Sequence, residues 1–130
     1  MNWYAASIVT VIEVLEGEQL TVPVEEAIYL LQGNSREFAR KAAMKIGKAL
    51  EVAGAEGIRW CERPARLRFL GIRKLRAIYP PTESNTSIDD AVPVHGAEIT
   101  HSFFEVDSSA TAELFAQGKR VAVSYVDDDA

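Results

Sequence analysis

The sequence predicts an α+β domain: an antiparallel sheet of five to six strands with one long amphipathic helix packed on a face, in the chain order ββαβββαβ. Three observations lead there. Two long runs of alternating character open the chain, separated by a short break that contains glycine. A stretch with apolar residues at every fourth position follows. The remainder alternates β-rich runs with turn signals and holds one more short helical stretch.

In the first run, Tyr4, Ala6, Ile8, Ile12 and Val14 fall on one side, and Trp3, Val9, Val11 and Leu15 on the other. A strand apolar on both sides belongs in the middle of a sheet, with a layer against each face. The break Glu16-Gly17-Glu18-Gln19 suits an antiparallel hairpin, and Leu20, Val22, Val24, Ile28 and Leu30 carry the return strand. Pro23 has no N–H for a ladder, so it marks an edge position or a bulge. Glu26 shares the apolar side of this run. A bulge at Pro23 turns it outward; without one it is a buried unpaired carboxylate and a candidate site residue.

Asn34 and Ser35 compete as N-cap, and the spacing from Asn34 to Glu37 approximates a capping box. Phe38, Ala42, Ile46 and Leu50 then recur through a helix over 35–51, with Arg36, Arg40, Lys41, Lys45 and Lys48 facing mostly away. Ala39, Ala42, Ala43 and Gly47 let this helix sit close to a sheet, and Gly54 and Gly57 end it. Burial of Phe38 and Ile46 is expected to matter most, so that a charge at Ile46 unfolds the domain.

A short strand is predicted over 58–62 and a long one over 66–79. In the latter, Leu67 and Phe69 share one parity while Leu70 and Ile72 share the other, and a bulge at Gly71 explains the change. Residues 80–93, with two adjacent prolines and a Ser-Asn-Thr-Ser run, read as a long polar loop. A strand over 98–106, a helix over 109–117 capped by Ser108 and stopped by Gly118, and a strand over 120–126 complete the order.

At 130 residues the chain has the length of one domain, 1–130, able to fold without a metal or disulfide staple. Cys61 is the only cysteine, which excludes an internal disulfide and favours a reducing compartment. No Lys or Arg precedes Arg36, unlike a secretory signal, and the apolar stretch 3–12 is too short to span a bilayer. A cytoplasmic protein with no membrane contact is expected. The net charge of −5 argues against a whole-surface nucleic-acid binder. Its distribution is blocked: the bases Arg59, Arg63, Arg66, Arg68, Arg73, Lys74 and Arg76 lie between two acidic stretches that contain no base.

No reaction is specified by any constellation here, and no cofactor is implied. His95, Glu98 and His101 carry metal-ligating chemistry, but on a regular strand the histidines face one side and Glu98 the other. Cys61 lies between Arg59 and Arg63, with no base partner named, and a lone cysteine in a strand is usually a small buried apolar residue. Asp89 and Asp90 read as turn residues. The basic block is the strongest binding candidate: Arg66, Arg68, Arg73, Lys74 and Arg76 could meet an anionic partner or nucleic acid, unless cross-strand acids neutralise them.

Trp3-Tyr4-Ala5-Ala6, the segment Ala39-Arg40-Lys41-Ala42-Ala43-Met44-Lys45-Ile46-Gly47, and Phe69-Leu70-Gly71-Ile72 followed by Leu75 together resemble domain-of-unknown-function family 4288, small uncharacterised bacterial proteins. The likeness runs from Trp3 to about Tyr79, with weaker agreement at Gly96, Glu98 and Ser102. It implies a bacterial cytoplasmic α+β protein and assigns no residue a role. Three functions follow from the residues. The first is a homodimeric, non-enzymatic interaction module whose apolar sheet face or loop 80–93 engages a protein partner. The others are a binder of nucleic acid or an anionic ligand through 59–76, and a small enzyme or metal protein around His95 and His101.

Overall fold

The computed structural model describes residues 2–78 and 94–126. Its elements are β1 (Asn2–Val14), β2 (Val22–Gly33), α1 (Arg36–Ala53), β3 (Ile58–Trp60), β4 (Arg63–Ile78), β5 (Ala97–Val106), α2 (Ser109–Ala116) and β6 (Ser124–Tyr125). All strands join one sheet in the order β3-β4-β1-β2-β5-β6, and every paired neighbour is antiparallel. The predicted loop 80–93 and the acidic run 127–129 lie outside the described residues.

β1 takes the central place that its two apolar sides require. Tyr4, Ala6 and Ile8 pack with Leu31, Leu75 and the α1 residues Ala39 and Ala43 on one face. Val9 and Val11 pack on the other with Val22, Val24, Phe104, Val106 and the α2 residues Ala112, Phe115 and Ala116. The short helix lies across the face opposite α1. Two alanines bring it close, and the Phe115 ring meets Phe104 edge-on at 4.9 Å.

Pro23 corrects the reading of the second strand. β2 lies between β1 and β5, and its register with β1 runs unbroken from Gly33 to Val24. Pro23 therefore sits neither on an edge strand nor in a bulge; it precedes Val24, the first β2 residue paired with β1, where no ladder bond to β1 is needed. Without a bulge Glu26 keeps its inward face. The Ser7 hydroxyl donates to its carboxylate, and Arg73 Nε lies 3.9 Å away.

Ser35, rather than Asn34, caps α1: its side chain accepts from the Phe38 N–H at 3.1 Å. The buried helix face consists of Ala39, Ala43 and Gly47. Phe38 remains 51% exposed and lies over Gly33, and Ile46 is half-buried against the cluster, so small residues outweigh large ones in this contact. Gly47 sits directly on the Phe69 ring and Gly54 on Leu67, whose N–H donates to Gly54 at 2.8 Å.

β4 departs from regularity twice. Its register with β1 shifts between Ser7 and Ile8 and again between Val9 and Thr10, on either side of Gly71, which takes φ +147. The predicted bulge is thus a pair. Leu70 joins the α2 cluster, whereas Phe69 and Ile72 join the α1 cluster. The N–H of Phe69 finds Glu51 of α1 at 2.8 Å. Where β3 turns into β4, Cys61 and Glu62 both adopt positive φ (52 and 63) between the paired residues Trp60 and Arg63. Cys61 is exposed there, not buried.

Candidate functional site

The strand registers assign four of the five cations of the binding candidate to positions, and Arg73 falls in the irregularity between Ile72 and Lys74. Arg66 pairs with Glu13, Arg68 with Val11, Lys74 with Ser7 and Arg76 with Ala5, all on the α2 side of the sheet. The cations of α1 lie over the opposite face, so the two groups form no common ridge. Within β4 the arginines have separate duties. Glu13 holds Arg66 at 2.7 Å and Arg68 at 3.1 Å, and Arg68 also lies 3.9 Å from Glu113.

Arg73 is committed to α2. Its guanidinium lies 3.9 Å from the Phe115 ring centroid and donates to the carbonyls of Phe115 and, at 3.2 Å, Lys119. The helix carries no basic residue in its own last turn, so β4 supplies the cation that its C-terminal carbonyls favour. Earlier in the chain, Arg63 donates to the carbonyls of Glu16 and Glu18, and Arg59 to that of Glu62. Lys74 and Arg76 are exposed and have no acid within ion-pair distance among the described residues.

These two cations border an apolar surface. Across the sheet, Ile78 stands beside Trp3 and Gln32; Arg76 beside Ala5, Leu30 and Ala97; and Lys74 beside Ser7, Ile28 and Thr100. Trp3, Ala5, Ile28 and Leu30 are half-buried and Ile78 is 38% exposed. α2 covers the far half of this face, over Val9, Val11, Val22 and Val24, and the Arg73–Glu26 pair marks the boundary. The sequence shows that β1 has two apolar sides, but not that α2 is long enough to cover only half of one.

On the α1 side a second group assembles at β2 and β5. The register between them shifts at Ile28/Tyr29, which brings Glu98 to the same side as His101; Glu98 Oε2 lies 3.5 Å from His101 Nδ1. Strand alternation had separated these residues, and the bulge overturns that separation. Glu25 faces the same group. Burial raises its pKa above the ordinary glutamate value, His101 lowers it and Glu98 raises it. Tyr29 is raised by burial, with Glu98 and Glu25 adding to the rise. His95 stands apart and accepts from the Gln32 N–H at 2.8 Å. Sequence reasoning passed over Glu25, although two adjacent glutamates in a strand must send one carboxylate to each face.

Among the described residues no group of three or more His, Cys, Asp or Glu side chains is placed to hold a metal ion, and no helix is long and apolar enough to cross a membrane. No family model matches the chain, and neither a curated protein nor a solved structure does.

Proposed function

We propose that the protein is a non-enzymatic interaction module that docks an acidic, apolar segment of a protein partner on the half of the sheet face left open by α2. The observation that carries this is the juxtaposition of Trp3, Ile28, Leu30 and Ile78 with Lys74 and Arg76, two exposed cations without acidic partners among the described residues. Apolar area supplies the driving force for such docking, and the cations select the partner's charge. An anionic-ligand reading draws on the same Lys74 and Arg76. A cytoplasmic setting and kinship with family 4288 belong to this proposal as well.

Selection from a library of random short peptides tests it. Enriched sequences are expected to alternate apolar and acidic residues, and their binding to weaken with salt and with Lys74→Glu plus Arg76→Glu. Enrichment without acids, or affinity unchanged by the charge reversal, overturns it. So does light scattering that finds a dimer dissociated by Ile78→Asp, because the occupant is then a second copy of the chain.

A further inference from the structure

We propose that a cavity on the α1 side of the sheet is a binding site for a primary ammonium or guanidinium group, held by the Glu25 carboxylate beside the aromatic pair Phe103 and Trp60. The site is independent of the docking face, which lies on the other side of the sheet.

The cavity has a volume of about 140 Å³ and is lined by Thr10, Val11, Ile12, Pro23, Glu25, Leu67 and Phe103. It lies beyond the last turn of α1, where Gly54 packs on Leu67. Phe103 of β5 meets Trp60 of β3 edge-on at 6.3 Å, although β4, β1 and β2 separate those strands in the sheet. The sheet therefore curls around this end, and Phe103, the member of the pair that lines the cavity, carries the contact to Trp60. A cavity of roughly 150 Å³ holds a group of about six heavy atoms, the size of benzene. That is smaller than the pockets of whole drug-sized ligands, at least about 300 Å³. The space suits an end group or a small amine.

Among the described residues Glu25 is the only ionisable one lining this space. It has no ion-pair partner among the described residues, and what acts on it is burial, the imidazole of His101 and the carboxylate of Glu98. The lining from β1 and β4 carries no charge. Tyr29 on β2 is a weak acid, and Glu105 on β5 is engaged by the Thr21 hydroxyl. A half-buried carboxylate beside aromatic rings and a threonine hydroxyl gains from a cation that enters with its own donors, because the ligand restores both charge balance and hydrogen bonds lost on burial. The ring faces and edges accept the alkyl stem, and a cation near a face gains further attraction. A carboxylate ligand is repelled, and a neutral alcohol leaves the charge uncompensated.

The test uses the full chain and n-butylamine as the probe, with n-butanol and n-butyrate as uncharged and anionic counterparts, followed by the indole N–H signals of Trp60 and Trp3 in two-dimensional NMR. Butylamine is expected to shift Trp60 saturably and to leave Trp3 in place, and the counterparts to bind at least about tenfold more weakly. Glu25→Gln preserves shape and is expected to weaken the amine about tenfold. His101→Ala, at an exposed residue that faces Glu25 and does not line the cavity, is expected to preserve binding. The proposal is overturned by equal affinity for butanol, by an unchanged Glu25→Gln, or by the absence of a saturable Trp60 shift.

Discussion

Arg73 shows how one residue changes meaning between sequence and structure. In the sequence it is one of five clustered cations; in the fold it binds α2 through two carbonyls and a ring and lies beside Glu26. Arg73→Met keeps much of the packing but leaves Glu26 without its cation and α2 without its C-terminal anchor. A loss of about 3 kcal/mol is expected in urea denaturation, more than for Arg76→Met, which should cost under about 0.5 kcal/mol. Glu25 has the opposite sense. Burial raises its folded pKa above the unfolded value, so the folded state holds the proton to higher pH. Stability therefore falls as pH rises from the unfolded value through the folded one, and the full cost is present above both. Glu25→Gln is expected to raise the melting temperature at about pH 7 and to leave it unchanged below about pH 4. A constant difference across that range would falsify the assignment.

Elements here are shaped by close approach and by turn chemistry. Alanine at Gly47 gains roughly 1 kcal/mol of helix propensity, but its methyl group enters the Phe69 ring. The clash is expected to win, with a net loss of about 1–3 kcal/mol in thermal melts, largely restored by adding Phe69→Leu. The β3–β4 turn places two residues with side chains at positive φ, where a two-residue hairpin favours Asn-Gly. Cys61→Asn with Glu62→Gly is expected to stabilise the protein by about 1 kcal/mol, read as a higher urea midpoint. The Leu67/Phe69 to Leu70/Ile72 parity change was legible as an irregularity at Gly71. That it comprises two bulges was not, because only the pairing partner shows how many residues fall out of register.

At the scale of the whole molecule, one sheet separates two clusters, and β1 contributes to both. Breaking its ladders requires disrupting both layers at once. Its amides are expected to exchange most slowly in native-state hydrogen exchange, through global unfolding, and those of β3 and β6 to exchange first. Comparable rates in β1 and β6 would contradict this layering. The same division places the apolar face left uncovered among the described residues and the Glu25 cavity on opposite sides of the sheet.

By itself the sequence determined the α+β class, the central place of β1 and the close seat of α1, because period-2 and period-4 patterns and small residues act locally. It also located the cationic block. The tertiary structure alone decided which of those cations are consumed, since Glu13, Glu26 and the end of α2 reach them across strands and not along the chain. It decided likewise that α2 covers one half of a face, and that a bulge in β5 brings Glu98 to His101 and Glu25. Strand neighbours, bulge positions and curl are properties of pairing between distant segments. A single chain read residue by residue carries the sides of each strand but not what lies beside them.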